Sequence, residues 1–238
     1  MQKTLLCVLL SMLLLIPSHA HGQSYCGVHK YDGTHRNELR GYLIAGDNIV
    51  TDAFYGLSVT YKRYLGNRWH VKGDMQMQFG KRLYSIDVEG GYRLPWGWSD
   101  FYLTGQLLYN RYQPWNTNET IANLSVRWEM PYFYLRAGAS LIHFHLLHFG
   151  YTEPVTLTLG GGVSIRPRWN SWNIGAFIRN YDDFYYEGYN INWGFNFHAN
   201  LLSNLQLYGE LNIRPAGSMS QLASKYEESL KVGLKYMW

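Results

Sequence analysis

Trp69-His70-Val71-Lys72-Gly73-Asp74-Met75-Gln76-Met77-Gln78-Phe79 alternates without a break: Trp69, Val71, Gly73, Met75, Met77 and Phe79 fall on one side, and His70, Lys72, Asp74, Gln76 and Gln78 on the other. A period of two belongs to an extended strand, whose successive side chains point to opposite faces. One face of this strand suits hydrocarbon and the other suits water. After Gly80-Lys81-Arg82, a linker short enough for a hairpin, a second alternating stretch sets Tyr84, Ile86, Val88, Gly90 and Tyr92 against Ser85, Asp87, Glu89, Gly91 and Arg93. A soluble sandwich could contain two such strands, so the decision rests on the rest of the chain.

Similar segments recur at 38–46, 53–64, 101–110, 121–130, 133–144, 155–166, 172–180, 190–200, 205–214 and 229–238, which with the first pair makes about twelve, ten being the lower count. A tilted transmembrane strand needs about 9–11 residues, and these segments are nearly uniform at that length. Leu157, Leu159, Val163 and Ile165 oppose Thr156, Thr158, Ser164 and Arg166, and Ile191, Trp193, Phe195 and Phe197 oppose Asn190, Asn192, Gly194, Asn196 and His198. The connections alternate as well. Short links at 65–68, 95–99, 130–132, 167–171 and 202–204 lie between longer polar ones at 111–119, 145–153, 181–188 and 215–227, with 46–51 and 80–82 as brief members of the second set. Short periplasmic turns and longer outer loops are the asymmetry of bacterial barrels. The expected fold is all-β: a transmembrane antiparallel up-and-down β-barrel over 37–238, with both ends of the barrel chain in the periplasm.

Composition agrees with a bilayer. Aromatics make up 17% of the 238 residues, with 21 Tyr and 9 Trp, amphipathic rings that favour membrane–water interfaces. The N-terminus reads as an export signal over 1–22: a charged Met1-Gln2-Lys3, an apolar run over 5–17 broken by Ser11, and cleavage after Ala20 or Gly22. That run is shorter than the roughly 20 residues of a membrane helix, and nothing later approaches one. Residues 23–36 then form a periplasmic lead-in. Cys7 lies in the signal, so Cys26 has no intrachain disulfide partner after cleavage, and Gln23-Ser24-Tyr25 lacks the small residues of a lipoprotein cleavage site.

Trp69, Trp96, Trp98, Tyr132, Phe133, Trp169 and Trp172 flank the short turns, as an inner interfacial girdle would. The chain ends with Leu230, Val232, Leu234, Tyr236 and Trp238 opposite Ser229, Lys231, Gly233, Lys235 and Met237. This ending, the signal and the strand–turn rhythm resemble the outer-membrane β-barrel proteins of the Bacteroidota type. The resemblance implies location in the cell outer membrane of a Gram-negative envelope, contact with its lipids, and a terminal signature at Leu234, Tyr236 and Trp238 read by the barrel assembly machinery. It carries no catalytic residue, no metal and no cofactor, and names no envelope protein partner.

Strand parity turns Arg40, Lys62, Lys72, Arg93, Arg127, Arg136, Arg166, Arg179, Arg214, Lys231 and Lys235 inward, against Glu38, Asp74, Asp87, Glu89, Glu129 and Glu210. Two readings stay open. Charges buried in a narrow barrel must pair, which gives a packed structural or interaction component of the envelope. A basic excess in an open lumen gives a small, porin-like channel for an anionic solute, similar in strand number and lumen charge to the small oligosaccharide-specific porins.

The rival class is an outer-membrane hydrolase, protease or lipid-modifying, with a site at the barrel mouth. His143, His145 and His148 cluster near the outer end of one strand, and Asp182-Asp183 lie in another outer loop. Ser140 precedes His143 by three positions, so the two face opposite sides of a strand and cannot form a nucleophile–base pair. Gly160-Gly161-Gly162 lacks the Lys-Ser/Thr and helix of a phosphate loop and is expected to relieve crowding or bend the wall. A net charge of +4 without an aromatic–basic module gives no sign of nucleic-acid binding.

Overall fold

The computed structural model describes residues 24–25, 28–29, 36–47, 53–79, 83–97, 99–113, 116–130, 132–146, 149–152, 155–165, 172–182, 185–186, 191–213 and 228–238. The export signal, Cys26, Trp98, Trp169, Arg166 and Arg214 lie outside them.

Among the described residues twelve antiparallel strands close into one barrel. They are β1 (Asn37–Asp47), β2 (Phe54–Leu65), β3 (Trp69–Gln78), β4 (Leu83–Trp96), β5 (Ser99–Tyr112) and β6 (Thr117–Glu129). There follow β7 (Phe133–Leu146), β8 (Thr156–Ile165), β9 (Trp172–Arg179), β10 (Asn192–Asn200), β11 (Leu205–Ile213) and β12 (Glu228–Met237). Each strand pairs with its chain neighbour, and β12 returns to β1 in a ladder from Glu228↔Asp47 to Met237↔Glu38. Closure leaves no open edge, the condition for a sheet to stand in hydrocarbon. The termini of the ladder are tied together, with the Arg36 and Asn37 amides donating to the Trp238 carbonyl at 2.9 Å.

The expected alternation holds around the barrel. Leu43, Met75, Val88, Leu107, Leu124, Leu157, Val163, Phe195 and Leu234 are exposed on the outside, while their strand neighbours are buried within. An apolar exterior over a polar interior inverts a soluble protein and places the barrel in a bilayer; the combination is that of the bacterial outer membrane. At the short-turn end, ring contacts run Trp96–Phe101–Trp128–Phe133 at centroid distances of 5.4, 5.7 and 6.0 Å, and Trp69 meets Tyr92 at 4.5 Å. These rings form an inner girdle.

Several strands run further than the composition suggested. Pro95 and Trp96 pair with Asp100 and Ser99, so the link there narrows to a tight turn in which Gly97 takes a positive φ of 59°. β7 reaches Leu146 and folds back through Phe149–Thr152, which pairs Phe149↔Leu146 to Thr152↔His143. The 145–153 connection is therefore largely a hairpin extension.

Candidate lumen and its charge row

The inward residues are held close together. Lys72 Nζ lies 2.8 Å from Asp74 Oδ2, 3.1 Å from Asp87 Oδ2 and 3.4 Å from Glu89 Oε2, and His70 Nε2 is 3.1 Å from the other Glu89 oxygen. Arg93 pairs with Asp100 through two hydrogen bonds of 3.0 and 3.1 Å, and Arg40 donates to Glu38 at 2.7 Å. Elsewhere on the inner wall, Arg127 is 2.6 Å from Glu129, Arg179 donates to Glu210 at 2.8 Å, and Lys231 lies 3.4 Å from Glu210.

Register joins six of these positions into one line. Arg93↔Tyr102↔Arg127↔Arg136↔Gly160↔Arg179 are successive cross-strand partners from β4 to β9. Arg127 and Arg136 face each other directly, an arrangement of like charges that costs stability by itself. Ring faces offset it: the Arg127 guanidinium lies 4.0 Å from the Tyr134 centroid, Arg136 4.4 Å from Tyr181 and Arg179 4.2 Å from Phe177. Arg136 also donates to Ser125 Oγ at 2.9 Å and Asn123 Oδ1 at 3.1 Å. Asn123 in turn donates to Ser140 and Thr158, both at 2.8 Å.

The glycines of β8 make this possible. A Cβ at Gly160 would sit 2.8 Å from the Tyr181 ring, and one at Gly162 would sit 2.5 Å from the Tyr134 ring. Both positions face inward, so the run relieves crowding in the lumen, one of the two roles expected for it. Tyr181 leaves the end of β9 and packs with Leu108, Ile121 and Ile142, with Phe144 against them, forming an apolar cluster at the outer end of the lumen. Asn180 steers that exit by donating to the Leu157 carbonyl and accepting from the Leu159 amide, both at 2.7 Å.

Of the inward bases expected from parity, Arg93, Arg127, Arg136 and Arg179 share the row, while Lys231 and Lys235 lie on β12, both 1% exposed. Arg166 and Arg214 lie outside the described residues. The expected basic excess is smaller than parity suggested, because Asp100 and Glu119 are also buried inside, 6% and 5% exposed. Glu119 accepts from Asn110 at 2.7 Å and Tyr112 at 2.9 Å. What remains is a difference in depth. The side chains of Arg40 and Arg127 are 25% and 18% exposed, against 3% and 6% for their partners Glu38 and Glu129. The same order holds in Arg93–Asp100, Arg179–Glu210 and Lys72–Asp74, whereas Lys231 is fully covered.

Among the described residues, Ser140, His143 and His145 do not assemble a catalytic centre, and His148 lies outside them. Ser140 is buried on the lumen side of β7, and His143 and His145 are exposed on its outward side. Asp183 lies outside the described residues, and among those described no three His, Cys, Asp or Glu side chains are placed to hold a metal.

No family model matches the sequence, and no curated protein matches it at a significant level. The fold does have solved counterparts. A KdgM porin in complex with disordered oligogalacturonate superposes with a TM-score of 0.57 at 12% identity, covering 85% of this chain and 98% of that one. The NanC porin gives 0.50 at 11% identity, covering 84% and 98%, and the Acinetobacter baumannii outer membrane protein Omp33 gives 0.50 at 12%, covering 86% and 98%. At such identity the likeness is one of architecture: the chain has the fold of an outer-membrane β-barrel, shared with proteins described as porins.

Proposed function

We propose that the chain is a small, non-enzymatic outer-membrane channel that favours anions, with a small anionic solute such as a sugar acid. The observation that carries this reading is the difference in cover inside the barrel, where several cationic side chains are more exposed than the carboxylates they pair with. In a narrow low-dielectric conduit the charge at the water boundary sets the local potential. Guanidinium groups suit planar carboxylates, and the Tyr134 and Tyr181 rings packed against them hold those groups in place. That one similar fold was solved with oligogalacturonate, a chain of sugar acids, supports this solute class.

The finer assignments rest on the sequence. Residues 1–22 act as an export signal, 23–36 as a lead-in, and Leu234, Tyr236 and Trp238 as the mark for the assembly machinery; the terminal signature and strand–turn rhythm support the Bacteroidota type.

Folded protein in a planar bilayer under a salt gradient tests the reading. The expected reversal potential has the anion-selective sign and weakens as salt rises, since the Debye length is about 10 Å at 0.1 M. Cation selectivity, or no conductance from protein whose unheated gel migration shows it folded, would replace the channel with a structural barrel.

A further inference from the structure

Where β5, β6 and β7 rise above the apolar belt, their outward side chains change character. On β5 the outward series Leu103, Leu107, Tyr109 ends at Arg111; on β6 it begins at Asn118 and Thr120; on β7 Leu141 is followed by His143 and His145. Arg111↔Asn118↔His145 are consecutive cross-strand partners, so three hydrogen-bonding side chains stand side by side in one row spanning roughly 10 Å. Arg111 and His145 are exposed, and Asn118 is half-buried.

The level of this row is set by its neighbours. Tyr84 pairs with Arg111 across β4–β5 and Tyr109 lies one outward step below it; both rings are partly exposed on the outer wall, as at a membrane interface. The acid nearest in sequence, Glu119, turns into the barrel and is held by Asn110 and Tyr112. Among the described outward residues of these three strand ends none is acidic. His143 is steadied by a 2.8 Å hydrogen bond to Thr152 on the folded-back hairpin. The row is thus rich in donors, free of acidic neighbours on its own face among the described residues, and placed at headgroup height on the outer side.

We propose that Arg111, Asn118 and His145 bind the phosphate of an anionic lipid headgroup in the outer leaflet. Arg supplies a bidentate charged donor, Asn an amide donor and His a ring nitrogen, a set that fits a phosphate whose acyl chains lie along the apolar wall below.

Native mass spectrometry of the intact chain released from detergent tests this, with diphosphoryl lipid A as probe. The wild type is expected to retain the lipid, and the Arg111→Gln/His145→Gln variant to retain it about tenfold less. Fully dephosphorylated lipid A should be held weakly by both. Heat-dependent gel migration confirms that the variant is folded, and Arg111→Gln alone, a change at one exposed side chain, should lower retention in the same direction. Equal retention by wild type and variants overturns the proposal, as does equal retention of the dephosphorylated lipid. Displacement by excess inorganic phosphate also overturns it, because the site would then belong to a free anion.

Discussion

On the β3–β4 wall the Lys72 ammonium is shared by Asp74, Asp87 and Glu89, whereas on the β6–β9 wall Arg136 donates to the neutral oxygens of Ser125 and Asn123 and lies over the Tyr181 ring. Both walls are polar and both hold cations, yet the first gathers three anions around one cation, whereas the second aligns three arginines, of which Arg127 pairs with Glu129 and Arg179 with Glu210. The contrast teaches that a count of inward charges does not give the field of a lumen; depth and pairing do. A cation shared by several carboxylates chiefly holds the wall together, while an aligned row of guanidinium groups adds positive charge along one side of the lumen.

The largest effect expected from this contrast is on stability. Lys72→Met leaves three mutually repelling carboxylates without their shared partner and should cost about 3–5 kcal/mol, read by denaturant unfolding from lipid vesicles. Arg136→Met removes one of two facing cations and should cost clearly less. Comparable losses would show that the two walls hold their charge alike. Next in size is a change of face. Val163 and Phe195 are 58% and 48% exposed on the outer wall, so Arg at either should cost roughly 2–4 kcal/mol if near the midplane, and Arg at inward Asn196 less. Equal tolerance would contradict the assigned faces.

Gly160→Val should disturb the arginine wall alone. Its Cβ would stand 2.8 Å from the Tyr181 ring and 2.9 Å from Arg179 Cβ, forcing a shift that costs about 1–3 kcal/mol and moves Tyr181 out of its niche. Unchanged unfolding and unchanged conductance would mean that the glycine does not set the ring. The smallest effect is expected at the seam. The Trp238 ring stacks 5.6 Å from Tyr236 and 6.4 Å from Tyr61, so Trp238→Ala should cost about 1 kcal/mol in stability but slow assembly in vesicles, measured by the rise of the folded gel band.

Much of this architecture was legible in the residues. Period two, near-uniform segment length and alternating link length are direct consequences of a closed sheet between lipid and water, so faces and strand order followed from them. Strand ends were less legible. Ser99-Asp100 and Thr117-Asn118-Glu119 are polar enough to read as loop, yet they continue their ladders, and this hid two inward acids that the parity of Tyr102 and Ile121 would have revealed. The arginine row was invisible for a different reason: parity tells which way Arg93, Arg127, Arg136 and Arg179 point, but their alignment depends on the register of five strand pairs, which turn geometry fixes. The inward tyrosines escaped for a similar reason, since an aromatic in a membrane strand suggests the interface unless a glycine across the sheet makes room for its ring.

The central claim is that the β6–β9 wall, and not the inward charge count, sets ion preference. It is tested most directly by reversal potentials of two variants in the same bilayer under the same salt gradient. Replacing Arg127, Arg136 and Arg179 together with Gln should bring the anion-selective potential close to zero or past it, while Arg111→Gln, outside the barrel, should leave it unchanged. An unaltered potential in the triple variant, with protein folded and conducting, would contradict the account.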